Sequence, residues 1–363
     1  MDLRKIRVLV VDDSALVRRM TPEALWNERD IEVVGTAVDP YNARDLILER
    51  KPDLITLDIE MPRMDGLTFL KILMEKHPMP VIILSSLTQS GSVQAVEALR
   101  LGAVDALPKP KGSFSLGETG EILGDRIRGA FAARSRLGGA QSPGRNARPG
   151  AGMTALPPES IRPQTWDPRQ IGLIAASTGG TEAILKVVRH LPASFPGICI
   201  VQHIPAFISR AFADRVNAES AMEVGEARDG DAVEAGRVLI APGDFHLILE
   251  RESGRYRVRL KKSPKVWYQR PAADVLFRSA ASLVGSWGVG VVLTGMGRDG
   301  AEGLLQLRQA GARTLAQDEA TSVVYGMPRV AHELGAAEEV RPIQEIPMRM
   351  MTAFIEKLRS SRE

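Results

Sequence analysis

The stretch Ile171-Gly-Leu-Ile-Ala-Ala-Ser-Thr-Gly-Gly180 runs an apolar strand straight into a hydroxyl and two glycines. Two further runs repeat the pattern with other endings. Gly197-Ile-Cys-Ile-Val-Gln-His-Ile-Pro205 ends at His203, and Gly288-Val-Gly-Val-Val-Leu-Thr-Gly-Met-Gly-Arg-Asp-Gly300 ends at Asp299. Short, uniformly apolar runs separated by helical patterns predict parallel strands joined by helical crossovers. The carboxyl ends of such strands share one rim, where open α/β sheets bind ligands. Ser177, His203 and Asp299 are therefore expected to meet as a Ser-His-Asp set.

Outward from these runs, strands are predicted over 171–176, 198–202, 237–241 and 289–293. A hairpin of 247–250 with 255–261 turns at Ser253-Gly254 and is expected to add an antiparallel edge. The first part of the chain alternates in the same way, with strands over 6–11, 32–37, 54–57, 81–84 and 103–107 and helices between them. Five such units imply a doubly wound parallel sheet. A helix over 118–136 closes it, with Ile122, Ile127 and Phe131 as an apolar stripe and Arg126, Arg128, Arg134 and Arg136 as a solvated face. Between the halves the composition shifts to Gly, Pro, Ser and Arg without apolar period, which reads as a linker. The expected division is 1–136, linker 137–168, and 169–363.

With 363 residues, 44% hydrophobic and 25% charged, the chain has the composition of a globular protein of two domains. A net charge of +3 and no basic stripe with interleaved aromatics argue against nucleic acid. No apolar run is long enough for a membrane span, and no signal-peptide pattern opens the chain. The single cysteine, Cys199, lies mid-strand as a small hydrophobe and fits a reducing, cytoplasmic setting.

The first half places Asp12-Asp13, Asp58, Ser85-Ser86 and Lys109-Pro110 at predicted strand ends, so carboxylates, a hydroxyl and a lysine share a rim. Clustered carboxylates suit Mg2+, a hard ion that takes oxygen ligands. Asp58 can then attack phosphorus while Lys109 takes a phosphate oxygen. With Met61-Pro62 and Asp65-Gly66, these residues resemble a response-regulator receiver domain, a flavodoxin-like five-stranded sheet. The resemblance implies Asp58 as phosphoacceptor, Mg2+ held by Asp12, Asp13 and Asp58, and Ser85 as the hydroxyl that follows the phosphate. Many receivers carry an aromatic residue three positions before the lysine; Ala106 stands here, so a rotating ring is absent from the switch.

The second half resembles the catalytic domain of the chemotaxis protein-glutamate methylesterases, the CheB family. The likeness rests on the three strand–turn runs, on Ile240-Ala-Pro-Gly243, on Arg270-Pro-Ala-Ala-Asp-Val-Leu-Phe277 and on Val324-Tyr-Gly-Met-Pro328. A Rossmann-like, mostly parallel sheet is then expected. By the resemblance, Ser177 is the nucleophile, His203 the general base and acid, Asp299 its orienting acid, and the Met296 amide an oxyanion donor. No cofactor is implied for ester hydrolysis. Where the family has Gly-Ala-Ser, Ala175-Ala-Ser177 stands here. The implied activity is phosphorylation-activated demethylation of glutamate γ-methyl esters on methyl-accepting chemoreceptors, with deamidation of glutamines, by a monomer that takes phosphate from a chemotaxis-type histidine kinase. Two other readings compete. One is a phosphorylation-dependent binding module with an inactive hydrolase half; the other is a DNA-binding regulator, for which no recognition helix follows the linker.

Overall fold

The structure, a computed structural model, describes residues 4–109, 116–137 and 166–361. Its first sheet contains β1 (Ile6–Val11), β2 (Ile31–Ala37), β3 (Leu54–Asp58), β4 (Val81–Ser85) and β5 (Asp105–Pro108). All pairs are parallel, in the order β2-β1-β3-β4-β5. The crossovers and final helix are α1 (Ala15–Ala24), α2 (Pro40–Arg50), α3 (Gly66–Lys76), α4 (Gln89–Arg100) and α5 (Leu116–Leu137). The chain winds one way from β1 to β2 and the other way from β1 to β3, which opens a crevice between the ends of β1 and β3. Asp12 and Asp58 stand there.

The second unit begins with β6 (Ile171–Ala176), α6 (Gly180–Val188), β7 (Gly197–Gln202), α7 (Ala206–Ala218), β8 (Glu223–Glu226) and β9 (Arg237–Ile240). The hairpin β10 (His246–Glu252) and β11 (Arg255–Lys261) follows, then α8 (Ala273–Val284), β12 (Gly288–Val292) and α9 (Ala301–Gln309). β13 (Arg313–Gln317), α10 (Met327–Glu333), β14 (Glu339–Arg341) and α11 (Ile346–Ser360) complete it. Seven strands form one parallel sheet in the order β14-β13-β12-β6-β7-β9-β8. β6, β7 and β12 are buried along their whole length, as strands covered on both faces must be. Winding reverses at β6, so the crevice opens where β6 lies between β7 and β12.

Both sheets match the doubly wound expectation. The hairpin is present as a separate two-stranded ribbon whose apolar residues Leu247, Leu249, Tyr256 and Val258 are buried toward α8. Strands β8, β13 and β14 escaped the sequence reading because they are short and carry Glu, Arg or Gln. In α5 the buried stripe is Leu123, Ile127, Ala130 and Ala133, while Ile122 and Phe131 flank it. The arginines of this helix are not a uniformly solvated face. Arg126 is 8% exposed, because that side of α5 lies against the second domain. Arg128 is held by Asp30, Glu28 and Asp125.

The two units pack directly on one another. α4 lies on α7, and α5 crosses the carboxyl rim of the second sheet. Gly129 makes the close approach possible: a Cβ there would already stand 3.3 Å from both Met296 Sδ and Thr178 Oγ1. Of the linker expected over 137–168, residues 138–165 lie outside the described residues. Among the described residues, no helix is long and apolar enough to cross a membrane.

Trp166, Phe195 and Phe354 form an edge-to-face trio with ring centroids 5.5–6.3 Å apart, and it ties the start of the second unit to α11. Phe195 is fully buried within it. Phe195→Ala is expected to destabilise the second unit by about 3–5 kcal/mol, read as a lowered urea midpoint for that unit's transition.

Candidate active site

Two strand-end rims carry chemistry, one in each domain. In the first, ligand oxygens of Asp12, Asp13 and Asp58 lie within 4.8 Å of one another. Lys109 Nζ is 2.7 Å from Asp58 Oδ2 and 3.1 Å from Asp12 Oδ2. Asp12 and Asp58 are buried, whereas Asp13 is exposed. Burial pushes the Asp58 carboxyl up to about 6, against the hydrogen bond from Lys109 and with help from the charge on Asp12. Burial likewise raises Asp12. An all-oxygen donor set with more negative charge than one lysine can balance fits a divalent hard cation. Gly66 closes the pocket from behind: its N–H donates to the Ile59 carbonyl at 2.8 Å, and a Cβ would stand 2.1 Å from the Asp58 carbonyl oxygen. Ser85 stands at the end of β4 with its hydroxyl donating to the Gly91 carbonyl at 3.2 Å.

In the second rim, β6 and β7 pair to their last residues, Ala176 with Gln202, so Ser177 and His203 emerge side by side. The Ser177 N–H donates to the Thr294 carbonyl, and the His203 N–H to that of Ala176. Gln202 Nε2 donates to the Ser177 carbonyl at 2.8 Å. His203 Nε2 is 2.7 Å from Asp299 Oδ2. That carboxylate sits at the N-terminus of α8, where its two oxygens accept from the backbone N–H groups of Ala273 (2.6 Å) and Asp274 (2.9 Å). Since both oxygens are acceptors, His203 Nε2 is the donor, and Nδ1 is left to receive a proton. Ser177, His203 and Asp299 are all buried and line one cavity of about 150 Å³ with Met296, Trp267, Gln269 and Arg126.

Ser177 is not joined to His203 by any hydrogen bond among the described residues. Its partner comes from the first domain. Arg126 Nη1 donates to Ser177 Oγ at 3.0 Å and to Asp105 Oδ2 at 3.1 Å, while Nη2 donates to Gln269 Oε1 at 3.3 Å. Asp105 belongs to β5, four residues before Lys109. Burial raises its carboxyl, opposed by the Arg126 guanidinium. The larger cavity, about 660 Å³ between α4 and α7, contains none of these groups.

Residues 172–350 match the family model described as CheB methylesterase, and residues 8–118 match the response regulator receiver domain. A protein from Syntrophus aciditrophicus, named protein-glutamate methylesterase/protein-glutamine glutaminase 2, is 49% identical over 95% of this chain and 98% of its own length. The chain belongs to the CheB methylesterase family. A relative from Anaeromyxobacter dehalogenans, named protein-glutamate methylesterase/protein-glutamine glutaminase 4, is also 49% identical, over 94% of this chain and 93% of its own. The crystal structure of the Thermotoga maritima CheB methylesterase catalytic domain aligns with a TM-score of 0.50 at 39% identity, covering 50% of this chain and 97% of that one.

Several residues of this CheB-family site were not singled out from sequence. Arg126 had no distinguishing signal among four helical arginines. Asp105 did have one, as an acid inside a buried strand. His246, a second histidine at a strand end, is buried outside the cavity; its Nε2 meets the Pro264 carbonyl and its Nδ1 accepts from the Ala272 N–H. Ala175 is an ordinary strand residue, paired with Val201 and Val292, so the missing glycine leaves β6 regular.

Gly295 carries a steric requirement of its own. A Cβ there would stand 2.7 Å from Ser177 Cβ and 2.4 Å from Met327 Sδ. Gly295→Ala is expected to push Ser177 off its position and lower ester hydrolysis by about 100-fold. Circular dichroism would remain that of the folded protein while methanol release falls.

Proposed function

We propose that this chain is a phosphorylation-activated protein-glutamate methylesterase and glutaminase in which Ser177, His203 and Asp299 form the catalytic set. The observation that carries the reading is the single cavity in which these three side chains converge. Ser177 Oγ attacks the γ-ester carbonyl of a methylated glutamate while His203 Nδ1 takes its proton. The imidazolium is stabilised by Asp299, itself fixed by two amides of α8. The tetrahedral oxyanion is received by the Met296 amide, a contribution typically worth about 3 kcal/mol. His203 returns the proton to the departing methanol, and water then releases free glutamate from the acyl-serine. With a glutamine the same path expels ammonia. Chemoreceptors are the substrate and a chemotaxis-type histidine kinase the phosphodonor in this reading.

Control follows from the seam. With Arg126 bound to Ser177 and α5 over the rim, the nucleophile is both covered and held away from its base. Asp58 accepts the phosphoryl group, and Lys109 is drawn toward it. Asp12, Asp13 and Asp58 would hold Mg2+, and the chemistry it would supply when bound is positive charge beside the phosphoryl oxygens. Displacement of Lys109 moves the end of β5, the strand that positions Arg126 through Asp105. This route needs no aromatic rotor, which accords with Ala106 facing the second domain across a void of only about 10 Å³.

The full chain assayed for methanol release from methylated receptor, with and without a small phosphodonor, tests both halves of the reading. The wild type is expected to be stimulated, Asp58→Asn to lose stimulation, and Ser177→Ala to release none. Arg126→Ala removes a charged hydrogen bond and should raise unstimulated activity at least about tenfold. Methanol release that survives in Ser177→Ala would refute the assignment of the nucleophile.

A further inference from the structure

The rim beside Ser177 carries a strained aromatic turn. Trp267 and Tyr268 are consecutive, and both lie in the left-handed region, with φ of 52° and 60°. Such a conformation disfavours bulky side chains and persists only where the surroundings impose it. Here Val266 and Gln269 hydrogen-bond to each other in both directions across the turn, at 3.1 and 2.9 Å. Trp267 Nε1 donates to Asp274 Oδ2 at 2.9 Å, and the Arg298 guanidinium lies 4.7 Å from the ring centroid. Asp274 is the same residue whose N–H holds Asp299. The knuckle is thus fixed relative to the catalytic acid through one side chain, yet Trp267 is 39% and Tyr268 69% exposed.

The cavity of about 150 Å³ admits the end of a side chain and no more. A macromolecular substrate must therefore be held outside it, on the rim. What crosses that rim in this structure is a helix. α5 sends Arg126 into the cavity, and its Ile122 and Asp125 face Tyr268 and Gln269 across a space of about 220 Å³. Exposed, rigid aromatics next to a small pocket are the usual anchors of a recognition surface.

We propose that the Trp267–Tyr268 knuckle is the positioning element for a substrate segment that docks as a helix, and that α5 lies across the same rim as an intramolecular mimic, with Arg126 where the methylated glutamate side chain would enter. The proposal rests on the methylesterase reading. Tyr268 acts by positioning, without touching the reacting atoms. When the receiver withdraws, the cavity-facing side of the knuckle opens together with Ser177, so one movement frees both the nucleophile and the path along the surface that presents its substrate.

The test uses the full chain saturated with phosphodonor and two substrates: a methylated helical receptor fragment and a dipeptide bearing a glutamate γ-methyl ester. Tyr268→Asn removes the ring but keeps a residue tolerant of positive φ; Tyr268→Phe keeps the ring. In Tyr268→Asn the ratio of kcat/KM for the helix to that for the dipeptide is expected to fall about tenfold, mainly through KM, and Tyr268→Phe restores it. Without phosphodonor, Gln269→Ala is expected to raise dipeptide hydrolysis several-fold, because Arg126 loses the acceptor next to Tyr268 that helps to seat α5. An unchanged ratio overturns the positioning role. An unchanged unstimulated rate overturns the mimicry. A wild type that cleaves the dipeptide but releases no methanol from the receptor fragment instead removes the substrate assignment beneath both.

Discussion

A single guanidinium, buried between two sheets, links the halves of this protein. Arg126 satisfies Asp105 in its own domain and Ser177 and Gln269 in the other. A buried charge without partners is costly, and removing one member of a buried pair leaves the other uncompensated. Asp105 would be that other member, in surroundings where desolvation already raises its carboxyl. Both members of that pair belong to the first domain, so it persists whether or not the domains touch; what closure adds is the donation from Arg126 to Ser177 and Gln269, and Ser177 is the group that becomes occupied. The control proposed above rests mostly on this one side chain.

The convergence of Ser177, His203 and Asp299 depends on a second, purely architectural constraint. A parallel sheet whose winding reverses at β6 puts the ends of β7 and β12 on either side of Ser177. Asp299 then needs no charged partner to hold it, because the first amides of α8 do so. The same helix start carries Asp274, which anchors Trp267. Orientation of the imidazole and presentation of an aromatic rim are thereby built on one rigid element. Sites placed on helix and strand ends hold their geometry better than sites placed on loops.

The receiver obeys the same rule on the opposite side of the seam. Its crevice, also at a reversal of winding, gathers Asp12, Asp58 and Lys109. The distance from chemistry to output is short: Lys109 and Asp105 belong to one stretch of chain, and Asp105 binds Arg126. Ala106 between them packs closely against the second domain, where a large ring would have no room.

Both doubly wound sheets were legible in the apolar runs and their polar endings, because a strand buried on both faces has little choice of residue. The residues at those endings were legible for the same reason, since Ser177, His203, Asp299 and Asp58 interrupt runs that packing alone would keep apolar. Short polar strands such as Glu339–Arg341 were not, since their pairing is fixed by neighbours distant in sequence. Nor could residue order show that Arg126 lies on Ser177 while Arg128 faces Asp30, because helix periodicity gives a face without saying what covers it. The pairing of Asp299 with the start of α8, the strained turn at Trp267–Tyr268 and the partner of Ser177 were all decided by tertiary structure. Each depends on how two separately encoded surfaces meet in space, and one-dimensional spacing carries no such information.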